Sequence, residues 1–474
     1  MHRFARRTLV VVALLPLIAA AQVKSQPGTS AASIEGTWAG VLEVGGVPLH
    51  IVFHLRKTAV GLTGTMDSPD QGAKGIPMTS VTLAGPTLTI EAGTIRGAFH
   101  GTVSEDHDEI SGSWQQGGQS FPLVLKPVRD EAALAPKRPQ TPLPPFPYRS
   151  EDVSYPNPQS GNTLAGALTI PAGGGPFPAV LLISGSGPHD RDETIFGHKP
   201  FLVLADFLTR HGIEVLRADK RGVGKSTGNA AATLTDYASD AEAGVAFLRT
   251  RKQVDPRRIG LLGHSEGGIV APMVAAEEPG EIGFLVLLAG PGVPGLDIVV
   301  AQTRLIAEAS GVPAATAEKN AEEERRILDL VVSEPNSSGL EEKLREELAK
   351  DGVAEGRIQG SIQVLTSPSY RDFLSFDPAT ALRRVRCPVL ALAGSKDTQV
   401  PAAENLVAIR GALEKGGNHH IETAELPGLN HLFQPATTGA PSEYAQIEET
   451  MAPAVLDEIA RWILQQQPLA TARP

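Results

Sequence analysis

A glycine-flanked serine, an aspartate and a histidine occur in this chain in an order that suits nucleophilic attack on an acyl carbonyl. Ser265 lies in Gly263-His264-Ser265-Glu266-Gly267-Gly268, entered by an apolar run over 259–262 and left by a helix-compatible run over 269–277. A serine on a sharp turn between strand and helix needs small neighbours, because the backbone is strained there and the next helical turn passes close by. Gly263 and Gly267 supply them. A serine hydroxyl is a poor nucleophile until an imidazole accepts its proton, and the imidazole needs a carboxylate to fix its tautomer and stabilise its charged form. Both are expected downstream, on loops at the carboxyl ends of later strands. Asp397 meets that demand in Gly394-Ser395-Lys396-Asp397-Thr398-Gln399-Val400-Pro401, directly after a predicted strand over 389–393. His431 meets it in Pro427-Gly428-Leu429-Asn430-His431-Leu432-Phe433, after the next strand. Asp297 is the runner-up acid. His264 lies inside the elbow and cannot face Ser265 as base. His419 and His420 precede the last strand, and His189 and His198 precede the nucleophile, so pocket or surface positions are expected for them.

Attack on a carbonyl also needs donors for the developing oxyanion, and losing one typically costs about 10² to 10³ in rate. The amide of Glu266, next to the nucleophile at a helix start, is one expected donor. The other is expected from the turn Ser184-Gly185-Ser186-Gly187-Pro188 after a strand over 179–184, with Ser186 as the candidate. Asp219-Lys220-Arg221-Gly222-Val223-Gly224-Lys225-Ser226 ends like a phosphate-binding loop, but that motif requires glycine where Asp219 stands. A structural turn buttressing the oxyanion loop is the better reading. The sole cysteine, Cys387, permits no intrachain disulfide, and no H-E-x-x-H pairing occurs, so no metal site is expected.

The elements that must position these residues follow from alternating patterns. Strands are predicted over 179–184, 214–218, 259–262, 284–289, 389–393 and 421–426, with helices over 199–211, 235–251, 402–415 and 442–467. Such alternation predicts an α/β fold, a doubly wound and mostly parallel sheet with helices on both faces. Between 291 and 385 the pattern lapses into charged helical text over 301–309, 315–332 and 340–350, read as a helical cap. Its run Glu322-Glu323-Glu324-Arg325-Arg326 is read as a solvated face.

Upstream, residues 33–130 are glycine-rich with short alternating runs, which predicts a small antiparallel sandwich or barrel of about eight strands. Gly36-Thr37-Trp38 and Gly112-Ser113-Trp114 echo one another and are expected on edge or closing strands. The proline-rich stretch 131–150 is expected to be an extended linker, which leaves 151–469 for the α/β domain. At the start, a basic segment precedes an apolar run over 9–21 that ends in Ala19-Ala20-Ala21. This pattern predicts a signal peptide over 1–21 and an exported protein, periplasmic or secreted, without stable membrane insertion afterwards. Removing it with Arg3, Arg6 and Arg7 would take the formal charge from −11 to −14. An acidic balance repels phosphate, and no basic stretch interleaves with aromatics, so nucleic acid is not an expected partner.

Ser184-Gly185-Ser186-Gly187-Pro188-His189-Asp190-Arg191-Asp192-Glu193 and the segments 219–226, 263–268, 394–401 and 428–433 together resemble exported bacterial alpha/beta-hydrolase carboxylesterases of the serine-aminopeptidase-like group. The match runs over about 155–469 and covers five motifs in order. It implies an alpha/beta-hydrolase fold, Ser265 as nucleophile, Asp397 as acid and His431 as base. It also implies small-molecule ester substrates with short acyl chains, and no cofactor. Ser184 departs from the pattern, since relatives carry histidine before Gly-Ser-Gly-Pro. The amino-terminal segment resembles β modules attached to such hydrolases. One rival reading is a serine aminopeptidase or amidase using the same three residues, with an acidic pocket drawn from Glu322, Glu323 or Glu324. Another is an exported binding protein whose β module captures an envelope ligand while the hydrolase fold is silent. The intact serine, aspartate and histidine argue against silence.

Overall fold

The computed structural model describes residues 34–44, 47–69, 73–129, 137–277, 279–334 and 339–468. The expected signal peptide lies outside them. Upstream come β1 (Gly36–Val44), β2 (Val47–Thr58), β3 (Gly61–Ser68), β4 (Ala73–Pro77), β5 (Ser80–Ala84), β6 (Thr87–Ala92), β7 (Gly97–Val103), β8 (Ile110–Gln116) and β9 (Gln119–Pro127). They form an antiparallel sheet in the order β4-β3-β2-β1-β9-β8-β7-β6-β5. Period-two alternation sends Phe53 and Leu55 of β2, Leu88 and Ile90 of β6, and Trp114 of β8 into one core. The sheet curls on itself, with the Met78 amide donating to Gly64 O at 3.1 Å. Trp38 and Trp114 were expected on edge or closing strands: neither strand is an edge, and β1, which carries Trp38, joins the two halves of the sheet by pairing with β9. β1 lies between β2 and β9, and β8 between β7 and β9, which gives both buried indoles cover on each side.

The second sheet begins with two strands that the sequence reading did not anticipate, β10 (Arg149–Pro156) and β11 (Thr163–Ile170), joined antiparallel. There follow β12 (Phe177–Ile183), α1 (Pro200–Arg210), β13 (Glu214–Ala218), α2 (Leu234–Arg249), β14 (Val254–His264), α3 (Gly267–Glu277) and β15 (Phe284–Leu288). A run of helices comes next: α4 (Gly295–Ala309), α5 (Ala314–Ser333), α6 (Leu340–Lys350), α7 (Glu355–Leu365), α8 (Pro368–Ser375) and α9 (Pro378–Leu382). The sheet resumes with β16 (Val389–Gly394), α10 (Ala402–Lys415), β17 (Ile421–Leu426) and α11 (Pro453–Gln465). Strand order is β10-β11-β13-β12-β14-β15-β16-β17, parallel from β13 onward.

Strands buried on both faces carry continuous apolar runs, and here successive residues feed opposite cores. Val180 and Leu182 of β12 pack with α1 and α11, whereas Leu181 and Ile183 pack with α2, α3 and α10. Burying one such side chain contributes roughly 1.5–3 kcal/mol. Helices α4–α8 hold a fourth core around Leu328, Val331, Leu344, Ile358 and Ile362. This insertion leaves the sheet just beyond β15, one strand from Ser265. Among the described residues no helix is long and apolar enough to cross a membrane.

The helix predicted over 442–467 is confined to α11. Upstream of it, the Glu443 carboxylate accepts the amides of Thr437, Thr438 and Gly439 at 3.2, 2.8 and 3.1 Å and winds the chain into a compact loop. Pro453 then opens α11 at its first turn, where a missing N–H costs nothing.

Candidate active site

Strand order reverses across β12, whose neighbours β13 and β14 run out on either side. The carboxyl ends of β12 and β14 therefore flank a crevice of the kind in which doubly wound sheets bind ligands. Ser265 sits at the end of β14 with φ +53°, a left-handed conformation costly to any residue with a Cβ. Its amide donates to Leu288 O of β15 at 2.9 Å, and its carbonyl accepts the Gly268 amide at 2.8 Å. The flanking glycines are required by contact. A Cβ on Gly263 would lie 2.0 Å from Gly267 O, and one on Gly267 would lie 2.1 Å from Ile183 O. Ser265 itself is half-exposed.

Asp397 and His431 are buried, and Asp397 Oδ2 lies 2.8 Å from His431 Nδ1. The other carboxylate oxygen accepts the Gln399 and Val400 amides at 2.8 and 2.9 Å, so Asp397 is locked in a tight turn. It does not cap α10, whose N-cap is Pro401. A carboxylate on Nδ1 fixes the imidazole proton there and leaves Nε2 to accept another. The loop carrying His431 is pinned by Asn430 Oδ1, which accepts the Leu432 and Gln434 amides at 3.0 Å each. The ring of His264, next to Ser265 in the chain, lies 4.9 Å from the His431 ring. Ser265 Oγ makes no hydrogen bond to His431 in this structure.

The glycine turn after β12 lies against Ser265, since a Cβ on Gly185 would sit 3.2 Å from Ser265 Cβ. The turn is held from both sides, although Ser184 stands where histidine was expected. Glu193 Oε1 accepts the Gly185 amide at 2.7 Å, and Lys220 Nζ donates to Gly185 O at 2.7 Å. With the Gly185 amide so engaged, the Ser186 and Glu266 amides remain without partners among the described residues. Ser186 Oγ donates to Glu266 Oε2 at 3.3 Å, and Lys220 Nζ to Glu266 Oε1 at 2.9 Å, which brings those two residues together. The ammonium of Lys220 also lies 4.0 Å from the Tyr237 ring centroid.

The segment 219–226 acts as a buttress. Asp219 takes a bidentate guanidinium from Arg191 at 3.0 and 2.8 Å, and the Ser226 hydroxyl donates back to Asp219 O at 2.7 Å. Burial pushes Asp219 up, but the Arg191 contacts win and hold its carboxyl below the usual range.

The remaining candidates lie elsewhere. Asp297 pairs with Arg325 at 2.7 Å on the helical insertion. His419 and His420 are exposed. His198, expected at a pocket or surface, is instead fully buried, with Nδ1 2.9 Å from Thr450 Oγ1. Burial pushes its pKa down to about 4. Glu322 is exposed, Glu323 lies near Lys319, and Glu324 is turned inward, where burial and then Asp351 raise its carboxyl. Sequence reasoning missed Glu193 and Lys220, although the first stands in a charged run after the glycine turn and the second lies two residues beyond the end of β13.

Residues 180–447, more than half of the chain, match the alpha/beta hydrolase family, and the chain belongs to it. Over 307 residues it is 31% identical to esterase EstD of Thermotoga maritima, an alignment spanning 64% of this chain and 66% of that enzyme, just under two thirds of its length. Solved structures similar to the chain include an esterase of Pyrococcus furiosus, at 15% identity and TM-score 0.41, covering 67% of this chain and 93% of that one. Another is Est1E of Butyrivibrio proteoclasticus with ferulic acid bound, at 18% identity and TM-score 0.38, covering 65% and 96%.

Proposed function

We propose that this chain is a serine carboxylesterase that hydrolyses short-chain acyl esters through an acyl-enzyme. The observation that carries the reading is the buried His431–Asp397 pair, 2.8 Å apart, at the same sheet edge as a serine held at φ +53°. Similarity to an esterase adds support.

Ser265 Oγ attacks the ester carbonyl while His431 Nε2 takes its proton and Asp397 steadies the imidazolium. Negative charge on the former carbonyl oxygen is met by the Glu266 and Ser186 amides. Collapse breaks the ester bond, and the alcohol leaves with the proton from His431. Water, deprotonated by His431, then attacks the acyl-serine and releases the carboxylic acid. The resting Ser265 hydroxyl need not touch His431, because such bonds tighten in the substrate complex. Turnover requires His431 Nε2 to be free to accept that proton. The insertion α4–α9 leaves the sheet beside the elbow and is the element we assign to acyl-length selection.

Nitrophenyl esters set against aminoacyl nitroanilides test the reading. Ester turnover is expected, with a loss on the order of 10⁶ in kcat in Ser265→Ala. Efficient cleavage of the anilides alone would move the assignment to an aminopeptidase. The reading includes export, so mature protein from its native host is expected to begin near Gln22, which amino-terminal sequencing checks.

A further inference from the structure

Glu193 and His264 take no part in the steps above, yet between them they touch the oxyanion turn and the His431 loop and, through His264, form part of the elbow. Glu193 has φ +52°, and its Oε1 meets both the Gly185 amide at 2.7 Å and His264 Nδ1 at 2.9 Å. His264 Nε2 lies 3.1 Å from the main-chain oxygen of His431. Both side chains are buried. A peptide carbonyl and a carboxylate only accept. With Glu193 ionised each ring nitrogen of His264 therefore faces an acceptor, and both bonds then exist together only when both nitrogens carry protons. The remaining arrangement would put that proton on Glu193. It is disfavoured because imidazole is the stronger base and the Gly185 amide already donates to the same carboxylate oxygen.

We propose that His264 is a resident imidazolium, held by Glu193, that ties the oxyanion turn and the His431 loop to the elbow and keeps His431 in its proton-accepting form. The proposal rests on the esterase reading of Ser265 and His431. Both residues are positioning residues, since neither reaches the reacting atoms. A fixed positive charge 4.9 Å from the His431 ring disfavours a second proton there. The titration tendencies agree. Burial alone would strip His264 of its charge, but Glu193 outweighs burial and raises its pKa. Burial alone would raise Glu193, and His264 reverses that. The other groups facing the pair are Asp397 and His431 from the loops after β16 and β17, and His189 from the loop after β12, beside Lys220. Burial keeps His189 below the ordinary imidazole value, so it brings no competing cation.

Nitrogen NMR of the full chain, labelled at histidine, tests the charge directly. One imidazole is expected to carry protons on both nitrogens at about pH 8, well above the ordinary value near 6.5, and to vanish in His264→Asn. In Glu193→Gln, of equal size but uncharged, the signal is expected to titrate at or below that ordinary value. In the same variant kcat is expected to drop about ten- to hundredfold with little change in KM, as for a small misplacement of reacting groups. The acid limb of its kcat/KM profile is expected to move to higher pH, because the cation beside His431 is gone. A merely structural pair would lower thermal stability and leave that limb in place. A neutral His264 at about pH 8, or an unmoved acid limb in Glu193→Gln, overturns the proposal. If Glu193→Gln does not fold, the acid limb is read in His264→Asn, which keeps a donor towards Glu193. The NMR result does not depend on turnover, so a wild-type chain without ester activity would count against the esterase reading and leave the imidazolium standing or falling separately.

Discussion

Gly263 and Gly267 have no space for a methyl group, and that constraint explains the bend on which Ser265 stands. Gly263→Ala is expected to cost about 1–3 kcal/mol of stability by overpacking and to depress ester turnover, checked by thermal unfolding and kcat on one preparation. A second expectation concerns Glu214, buried at the start of β13 with one carboxylate oxygen lacking a partner. Burial pushes its pKa up to about 7, with Arg251 only partly offsetting it. The folded state then binds this proton more tightly than the unfolded state, so its destabilising effect is absent at low pH and grows as pH rises from the model-peptide range to about 7. Glu214→Gln should raise the unfolding temperature more at about pH 8 than at about pH 5; equal shifts at both would refute the assignment. At this scale Ser265, Asp397 and His431 were legible because each sits in a glycine-bearing turn directly after a strand. Glu193 and Lys220 were not, because their partners lie far along the chain: Glu193 meets His264 across 71 positions and Lys220 meets Glu266 across 46.

The elements behind the site are tied together by a strap that reads in the sequence as a passive linker. Arg138 donates to Phe196 O at 2.8 Å, Ala445 O at 2.7 Å and Ile447 O at 3.1 Å. Gln140 donates to Met451 O at 2.7 Å and accepts the Thr450 and Met451 amides at 2.6 and 3.0 Å. The stretch 444–451 has no helix or strand to satisfy its backbone, and these two side chains do so in part. The same stretch supports the His431 loop, since Glu449 O accepts from Gln434 Nε2 at 3.0 Å and, just beyond it, the Ala452 amide donates to Phe433 O at 2.9 Å. Replacing Arg138 and Gln140 together with alanine is expected to cost about 1–3 kcal/mol per buried group left unpaired. Limited proteolysis should then cut within 437–452; unchanged resistance would show that the strap carries no load. The misplaced start of the helix over 442–467 has this origin in part, because Gln140, some three hundred positions upstream, holds 450–451 out of helix, although Pro453 marks the true start locally. Strand β10 escaped notice for a different reason, its place at the sheet's edge. Charged positions such as Glu151 and Asp152 sit on the sheet's outer edge strand, where alternation is diluted.

Across the whole molecule the apolar residues gather into separate cores, one in the upstream sheet and others on the two faces of the second sheet and inside the helical insertion. The α/β alternation that announced the second sheet was plain because β12, β15, β16 and the 259–262 part of β14 are continuous apolar runs. The closing of the upstream sheet was not, since strand pairing between β1 and β9 joins segments far apart in sequence. Separate cores predict more than one cooperative transition on heating. Trp38 and Trp114 report on the upstream sheet and Trp462 on the second, so Trp462→Phe should leave a fluorescence change tracking the upstream sheet alone. A single transition seen by both calorimetry and fluorescence would show the two sheets unfolding as one. The central claim is that Ser265 is the nucleophile, and covalent labelling by an alkyl phosphonate, read by peptide mass, tests it most directly. The account predicts one adduct per chain, on the peptide containing Ser265, loss of ester turnover in step with labelling, and neither adduct nor turnover in Ser265→Ala; an adduct elsewhere, or turnover surviving in Ser265→Ala, would contradict it.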